Sequence, residues 1–387
     1  MSEFELSSFD EPVASHRRKT HPHTIADLTT IRTGGVFAAY READSETEVI
    51  RSVREADQAG QQLLVLGGGS NTFASDDDFR GLIVRDRRSD IQMLEGEDSS
   101  VYPAAGDGDD RVLIRVLAGT PWDDFVVYTL THGYSGLEAL SGIPGTVGAA
   151  PVQNIGAYGQ EVAQSVMSVR VYDRVQERIR VIAAEHLDFG YRTSLIKKSI
   201  GDVVSGGKPS FTPRYVVLSV DFALRSSPLS SPVAYQQLAR ELDVQVGQRA
   251  TTQAVRQAVL KLRRSKGMVL DDANPNTYSC GSFFTNPIVR ESSASRVPAD
   301  APRYPVPGMP GYVKLSAAWL LTHAGADRGF SIGTPARLST QHSLAVTSQG
   351  RAGGAEVLAL ARAARSKVLD VFGVALAPEP VLVGHSL

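Results

Sequence analysis

The stretch "SGIPGTVGAAPVQNIGAYG", residues 141–159, decides the fold. From Gly142 to Gly159 it carries no charge and consists largely of Gly, Ala and Pro. The uncharged run around it is long enough for a membrane span. Its glycines and prolines, with Gln153 and Asn154 among them, nevertheless rule out a membrane-crossing helix. Such a chain suits a backbone that must lie close against something, either a large flat or phosphorylated ligand or another backbone. This stretch alone leaves both open.

Upstream, "QLLVL" at 62–66 reads as a buried strand running straight into "GGGSN" at 67–71. The backbone N–H groups of Gly67, Gly68, Gly69, Ser70 and Asn71 can line an anion-binding concavity, although neither the Walker pattern nor GxGxxG is complete. Two glycine-rich loops in one domain favour a dinucleotide. A helix capped by Ser45 and Glu48 precedes the first loop, and a strand "GLIVR" follows at 81–85. "GTPWDDFVVYTLTHG" predicts a helix with Thr120 as N-cap, Pro121 at its first position and Gly133 beyond its end.

Further on, "VMSVRVYD", "ERIRVI" and "RYVVLSVDFAL" read as mostly antiparallel strands. "RSSPLSSP" at 225–232 reads as a linker, and "TQAVRQAVLKLRRSK" and "AEVLALARAARSKVLDVFG" as amphipathic helices. The pattern predicts an α+β protein.

With 387 residues the chain is too long for one hydrophobic core. Forty basic against 42 acidic side chains leave no field to attract nucleic acid. One cysteine excludes an internal disulfide, and no apolar signal segment opens the chain, so a cytoplasmic protein is expected, without membrane attachment. The polar first 23 residues read as a disordered extension; their histidines lack the carboxylates or thiolates of a metal site, and no metal is expected. The acidic segment around 95–110 reads as solvated turns.

Several side chains can carry chemistry. In "YSCGSFFTNP", 278–287, either Cys280 or Ser282 is a candidate; with no histidine beside it in sequence, Cys280 reads better as a buried packing residue. Arg192 in "DFGYRTSLIKK" can clamp a carboxylate or phosphate, or form a surface ion pair, while Lys197 and Lys198 read as solvated. Glu379, between two prolines, can act as an acid or base or mark a surface turn. Tyr235, Lys266, Tyr304 and Arg328 offer the hydroxyls and cations that a diphosphate requires.

Together these segments resemble a family. "GGGSN", "GLEALSGIPGTVGAAPVQNIGAYG", "FGYRTS", "CGSFFTNP", "YVKLSAAWLL", "STQHSLAV" and "LAPEP" occur in that order in the type I UDP-N-acetylenolpyruvoylglucosamine reductases, flavoenzymes of peptidoglycan precursor synthesis. The resemblance runs from about Leu28 to Gly384. It implies an FAD-binding domain of the vanillyl-alcohol-oxidase (PCMH) type over 24–228 and a smaller α+β substrate-binding domain over 229–387.

NADPH would reduce non-covalent FAD, and the enolpyruvyl ether of the UDP-sugar would be reduced to UDP-N-acetylmuramate. FAD would lie on Gly67, Gly68, Gly69, Ser70, Asn71, Gly142, Ile143, Pro144, Gly145, Gly148, Ala149, Asn154, Gly156, Ala157 and Tyr158. Ser282 matches the family's proton donor, with Arg192 and Glu379 as its catalytic partners. Tyr235, Lys266, Asn286, Tyr304, Arg328 and His342 would bind the substrate. Thr285 and Arg328 stand where lysine is frequent. A monomer is expected. The nearest rival on the same scaffold is an FAD-dependent sugar or alditol oxidase.

Overall fold

The computed structural model describes residues 11–13, 22–94 and 110–387. The expectations for most of the N-terminal extension and for 95–109 therefore lie outside the described residues. The chain forms two compact units. The first takes the described part of Met1–Arg17 with Ala38–Gly68 and Arg80–Arg264; the second takes the described part of Arg18–Phe37 with Gly69–Phe79 and Ser265–Leu387.

In the first unit, a three-stranded sheet orders Phe37–Ala43, Phe79–Asp86 and Gln62–Val65, the last two parallel with Leu63 opposite Leu82. The helix Glu46–Gln58 starts at Ser45, whose side chain accepts from the Glu48 N–H. Its apolar stripe Val49, Val53 and Ala56 is buried with Leu63, Leu82 and Val84, as the 3.6-residue spacing demands.

A larger antiparallel sheet runs Arg178–Ala183, Val166–Asp173, Tyr215–Ser226, Arg111–Leu117, Ile91–Met93. Trp122 and Phe125 of the helix Trp122–Thr131 cover it, each packed against Phe222. Asp173, at a strand end, accepts two hydrogen bonds of 2.7 Å from Arg214 and others from the Val175 and Gln176 N–H groups. Burial pushes its carboxyl pKa up, but the Arg214 bonds and charge and those N–H groups outweigh this and hold it below the usual range.

Three sequence expectations need correction here. The helix begins one residue late: Pro121, not Thr120, is its N-cap, because Pro121 stays extended in a bridge to Thr146 while the Trp122 N–H donates to the Gly145 carbonyl. "RSSPLSSP" is not a loose linker. Ser230 is buried, its N–H donates to the Ala250 carbonyl, and the Ser231 N–H donates to the buried Glu138 carboxylate. Leu238, Val255, Val259 and Leu262 share a core with Ala139 in the first unit. Lys197, expected in solvent, is half-buried and donates to Gln153 Oε1 at 2.6 Å.

The second unit centres on Phe73, Phe283, Phe284, Leu320, Leu360 and Phe372. The helix Gly354–Phe372 ends at Gly373 in the left-handed conformation, as its sequence predicts. In a small antiparallel sheet the central strand Tyr312–Leu315 pairs with Ile288–Arg290 on one side and Arg303–Pro305 on the other. The last strand, Val381–Val383, pairs in parallel with Thr72–Ala74, just after the first glycine loop.

Candidate active site

The two glycine loops meet in the first unit. A Cβ on Gly68 would lie 2.6 Å from Gly145 Cα, and one on Gly67 would lie 2.7 Å from Thr146 Oγ1. One on Gly148 would meet Ala118 at 2.6 Å. Close backbone packing, one of the two readings of the uncharged stretch, is therefore real. The loop is also tied to a buried ion pair. Asp123, in the first turn of its helix, accepts the Gly142 N–H at 2.7 Å and both terminal nitrogens of Arg256 at 2.8 and 2.9 Å.

Arg263 is buried on the helix Thr252–Ser265, which also carries Arg256, and donates from Nε to the Gly142 carbonyl at 3.2 Å. Burial pushes its pKa down. Sequence reasoning missed Asp123, Arg256 and Arg263. A signal was present, since Arg256, Leu260 and Arg263 recur at helical spacing within an otherwise apolar stripe.

Gly69, Ser70 and Asn71 belong to the second unit, where Gly69 has φ +66° and accepts from the Thr30 N–H. A Cβ there would fall 1.9 Å from the Leu28 carbonyl oxygen. Among the described residues, the N–H groups of Gly67, Gly68, Gly69 and Asn71 donate to no protein acceptor, although Gly68 and Gly69 are buried. Buried N–H groups seek acceptors, so this donor set fits a phosphorylated cofactor.

Arg192 joins the far end of the uncharged stretch. Its guanidinium donates to the Gly156 carbonyl at 2.5 Å and to the Asn154 carbonyl at 3.4 Å. A Cβ on Gly156 would lie 2.8 Å from Arg192 Nη1, so glycine makes room for the cation. Asn154 is left-handed, and its side chain bonds Glu161, the Gly190 carbonyl and the Ala163 N–H. Its visible role is to hold the Gly156–Ala157 hairpin against the Arg192 turn. Tyr158 packs edge-on against Tyr235 at 5.7 Å between centroids. Burial raises the Tyr158 pKa, whereas the Tyr235 ring is 45% exposed at the start of the helix Gln236–Glu241.

In the second unit, the residue after Ser282 is bonded to two segments. The Phe283 N–H donates to the Leu344 carbonyl at 2.8 Å, and the Phe283 carbonyl accepts the Glu379 N–H at 2.9 Å. Thr285 donates to the Ala377 carbonyl at 3.1 Å, extending the second contact. "CGSFF", "STQHSLAV" and "LAPEP", far apart in sequence, thus converge on one residue. His342 Nε2 stands 3.4 Å from Ser282 Oγ.

Cys280 is buried and its Sγ contacts the Thr72 carbonyl; burial pushes its thiol pKa well up, so it is an inert packing group, as expected. Asn286 caps the helix Ala317–His323 by accepting the Ala317 N–H at 2.9 Å. The turn of Lys266 and Gly267 packs on Gln341, next to His342. Tyr304 is exposed, its ring near Lys314, and lines a cavity of about 400 Å³ with Met309 and Tyr312. Arg328 is exposed in a turn.

Among the described residues no group of three or more His, Cys, Asp or Glu could hold a metal, and no helix is long and apolar enough to cross a membrane.

Two family models match the chain: an FAD binding domain over 37–181, and the C-terminal domain of UDP-N-acetylenolpyruvoylglucosamine reductase over 274–383. The chain is 45% identical over 371 residues to the UDP-N-acetylenolpyruvoylglucosamine reductase of Thermobifida fusca, covering 94% of this chain and 97% of that one. The chain belongs to the UDP-N-acetylenolpyruvoylglucosamine reductase family. A namesake from Salinispora arenicola is also 45% identical, over 95% of this chain and 97% of its own.

Among solved structures, UDP-N-acetylenolpyruvylglucosamine reductase from Thermus caldophilus superposes with a TM-score of 0.58 at 23% identity, covering 93% of this chain and 97% of that one. That likeness concerns the fold, an FAD-binding α+β scaffold as expected from the sequence.

Proposed function

We propose that the chain carries out its family's reaction: NADPH-dependent, FAD-dependent reduction of UDP-N-acetylglucosamine enolpyruvate to UDP-N-acetylmuramate, in the cytoplasm, for peptidoglycan synthesis. Family membership across 94% of the chain supports the reaction. The observation that supports the roles is the double pairing of Phe283, the residue after Ser282, with the His342 segment and with the Glu379 backbone. Gly67 to Asn71 and the Gly142–Tyr158 loop would hold FAD through backbone N–H groups, with Arg256 and Asp123 bracing the loop.

FAD, reduced by NADPH, supplies the hydride for C3 of the enolpyruvyl ether. The chain must then stabilise negative charge spread over C2 and the substrate carboxylate, and deliver one proton to C2. Arg192, held by two carbonyls, is the cation for that charge, and Glu379, when protonated, is a hydrogen-bond donor to it. Preorganised groups of this kind contribute about 3 kcal/mol each. Ser282 delivers the proton: its Oγ–H bond breaks as the C2–H bond forms. Tyr235 and Lys266 contact the diphosphate, and Asn286, Tyr304 and Arg328 complete the substrate surface.

The protein should purify yellow and release FAD on acid precipitation, since no His or Cys lies in either glycine loop for covalent attachment. In stopped flow, NADPH should bleach the flavin and the enolpyruvyl substrate should restore its colour. Rapid recolouring by oxygen with indifference to NADPH would instead identify an oxidase. Ser282→Ala should be reduced by NADPH at a near-normal rate yet be reoxidised by substrate at least ~10²-fold more slowly, with Ser282→Cys recovering part of the loss. Wild-type reoxidation in Ser282→Ala would overturn the assignment.

A further inference from the structure

A serine hydroxyl is a weak acid, and once it has given up its proton it must be restored from solvent, because each turnover consumes one proton. The sequence around Ser282 offers no group for either need. The fold does. His342, 60 residues away, comes within 3.4 Å of Ser282 Oγ through Nε2.

The approach is fixed by backbone bonds. The Phe283 N–H is held by the Leu344 carbonyl, the Ala345 N–H closes a turn on the His342 carbonyl, and the Ser339 N–H donates to the Ala345 carbonyl. Gln341 bonds Asn274 and packs on Gly267, which anchors the other side of the turn. A histidine held at both ends beside a hydroxyl is placed by the fold, and imidazole is the side chain best suited to pass protons near neutral pH.

We propose that His342 is the positioning and proton-supplying residue for Ser282, and not only part of the substrate surface. This rests on the reading of Ser282 as the proton donor. With Nε2–H directed at Oγ, the hydroxyl hydrogen is left pointing away from the imidazole, toward a bound substrate. As the Oγ–H bond breaks and the C2–H bond forms, the developing oxyanion accepts the Nε2–H hydrogen bond. The Nε2 proton of the imidazolium then passes to Oγ, leaving a neutral imidazole that regains one proton from water. The sum is one solvent proton transferred to C2, with Ser282 and His342 both restored.

The test compares half-reactions of the FAD-loaded enzyme. His342→Ala should bind FAD, be reduced by NADPH within about twofold of the wild-type rate, and bind the UDP-sugar within a few-fold. Its reoxidation by saturating enolpyruvyl substrate should slow at least ~10-fold, within the range expected for an acid–base contribution. His342→Gln, which keeps an N–H donor, should recover part of that loss and serves as the readout if His342→Ala folds poorly.

Ser282→Ala combined with His342→Gln should be no slower than Ser282→Ala alone, because both changes act on one proton path. A readout independent of turnover is the ¹⁵N resonance of His342 Nε2 in substrate-free protein, which should move in Ser282→Ala. Weakened substrate binding with an unchanged rate at saturation in both His342 variants would make His342 a substrate contact and overturn the proposal. So would additive losses in the double variant. Wild-type reoxidation in Ser282→Ala would instead remove the Ser282 reading itself, an outcome separable from failure at His342 alone.

Discussion

Gly68 and Gly281 both look like glycines next to chemistry, and the molecule uses them for opposite reasons. The space a Cβ would take at Gly68 is already filled, 2.6 Å from Gly145 Cα. At Gly281 nothing lies within 4 Å of the same point, and the residue is needed for its left-handed φ of +71°. The first glycine lets two backbones touch. The second turns the chain so that Ser282 stands beyond the core formed by Phe283 and Phe284. A glycine-rich motif therefore says that a side chain is excluded, and only packing says whether another backbone, a ligand or a dihedral angle excludes it.

The filled region depends on the charge pair beneath it, and breaking that pair should have the largest effect. Asp123→Asn leaves Arg256 buried without its counter-charge and weakens the acceptor for the Gly142 N–H. A loss of about 3–5 kcal/mol in urea unfolding is expected, together with weaker FAD binding. An effect below about 1 kcal/mol would mean that the loop does not rely on the pair.

Gly68→Ala tests the filled side directly. The added methyl must displace Gly145, so a cost of about 1–3 kcal/mol is expected, with a loss of FAD content in the purified protein. Gly281→Ala tests the open side. It meets no atom, so only the left-handed strain of about 1–2 kcal/mol should appear in the unfolding curve, with FAD retained. If Gly281→Ala strips FAD while Gly68→Ala does not, the comparison is the wrong way round. The smallest change is Cys280→Ala, expected to cost about 1 kcal/mol through lost packing while leaving both half-reactions intact. Abolished reoxidation in that variant would return the thiol to the mechanism.

What the sequence determined by itself is whatever depends on neighbours in the chain. The strand at 62, the helix from Glu46, its Ser45 cap, the helix from Gly354 with its Gly373 stop, and the order of the seven motifs were all legible, because capping and hydrophobic period act over a few residues. The same local logic failed at Thr120, where the extended backbone of Pro121 is held by residues 145 and 146. It failed at 225–232 as well, where a serine- and proline-rich stretch that looks flexible is fixed by Ala250 and Glu138.

Only the tertiary structure decided that Arg256 and Arg263 are buried braces of the glycine loop, and that Val381–Val383 returns to pair with Thr72–Ala74. It alone brought the Glu379 backbone to Phe283 and His342 to within 3.4 Å of Ser282 Oγ. Each of these rests on hydrogen bonds between segments far apart in sequence. The pattern of a single chain records that a polar residue is present, but its partner is fixed only when burial forces buried polar groups to find one.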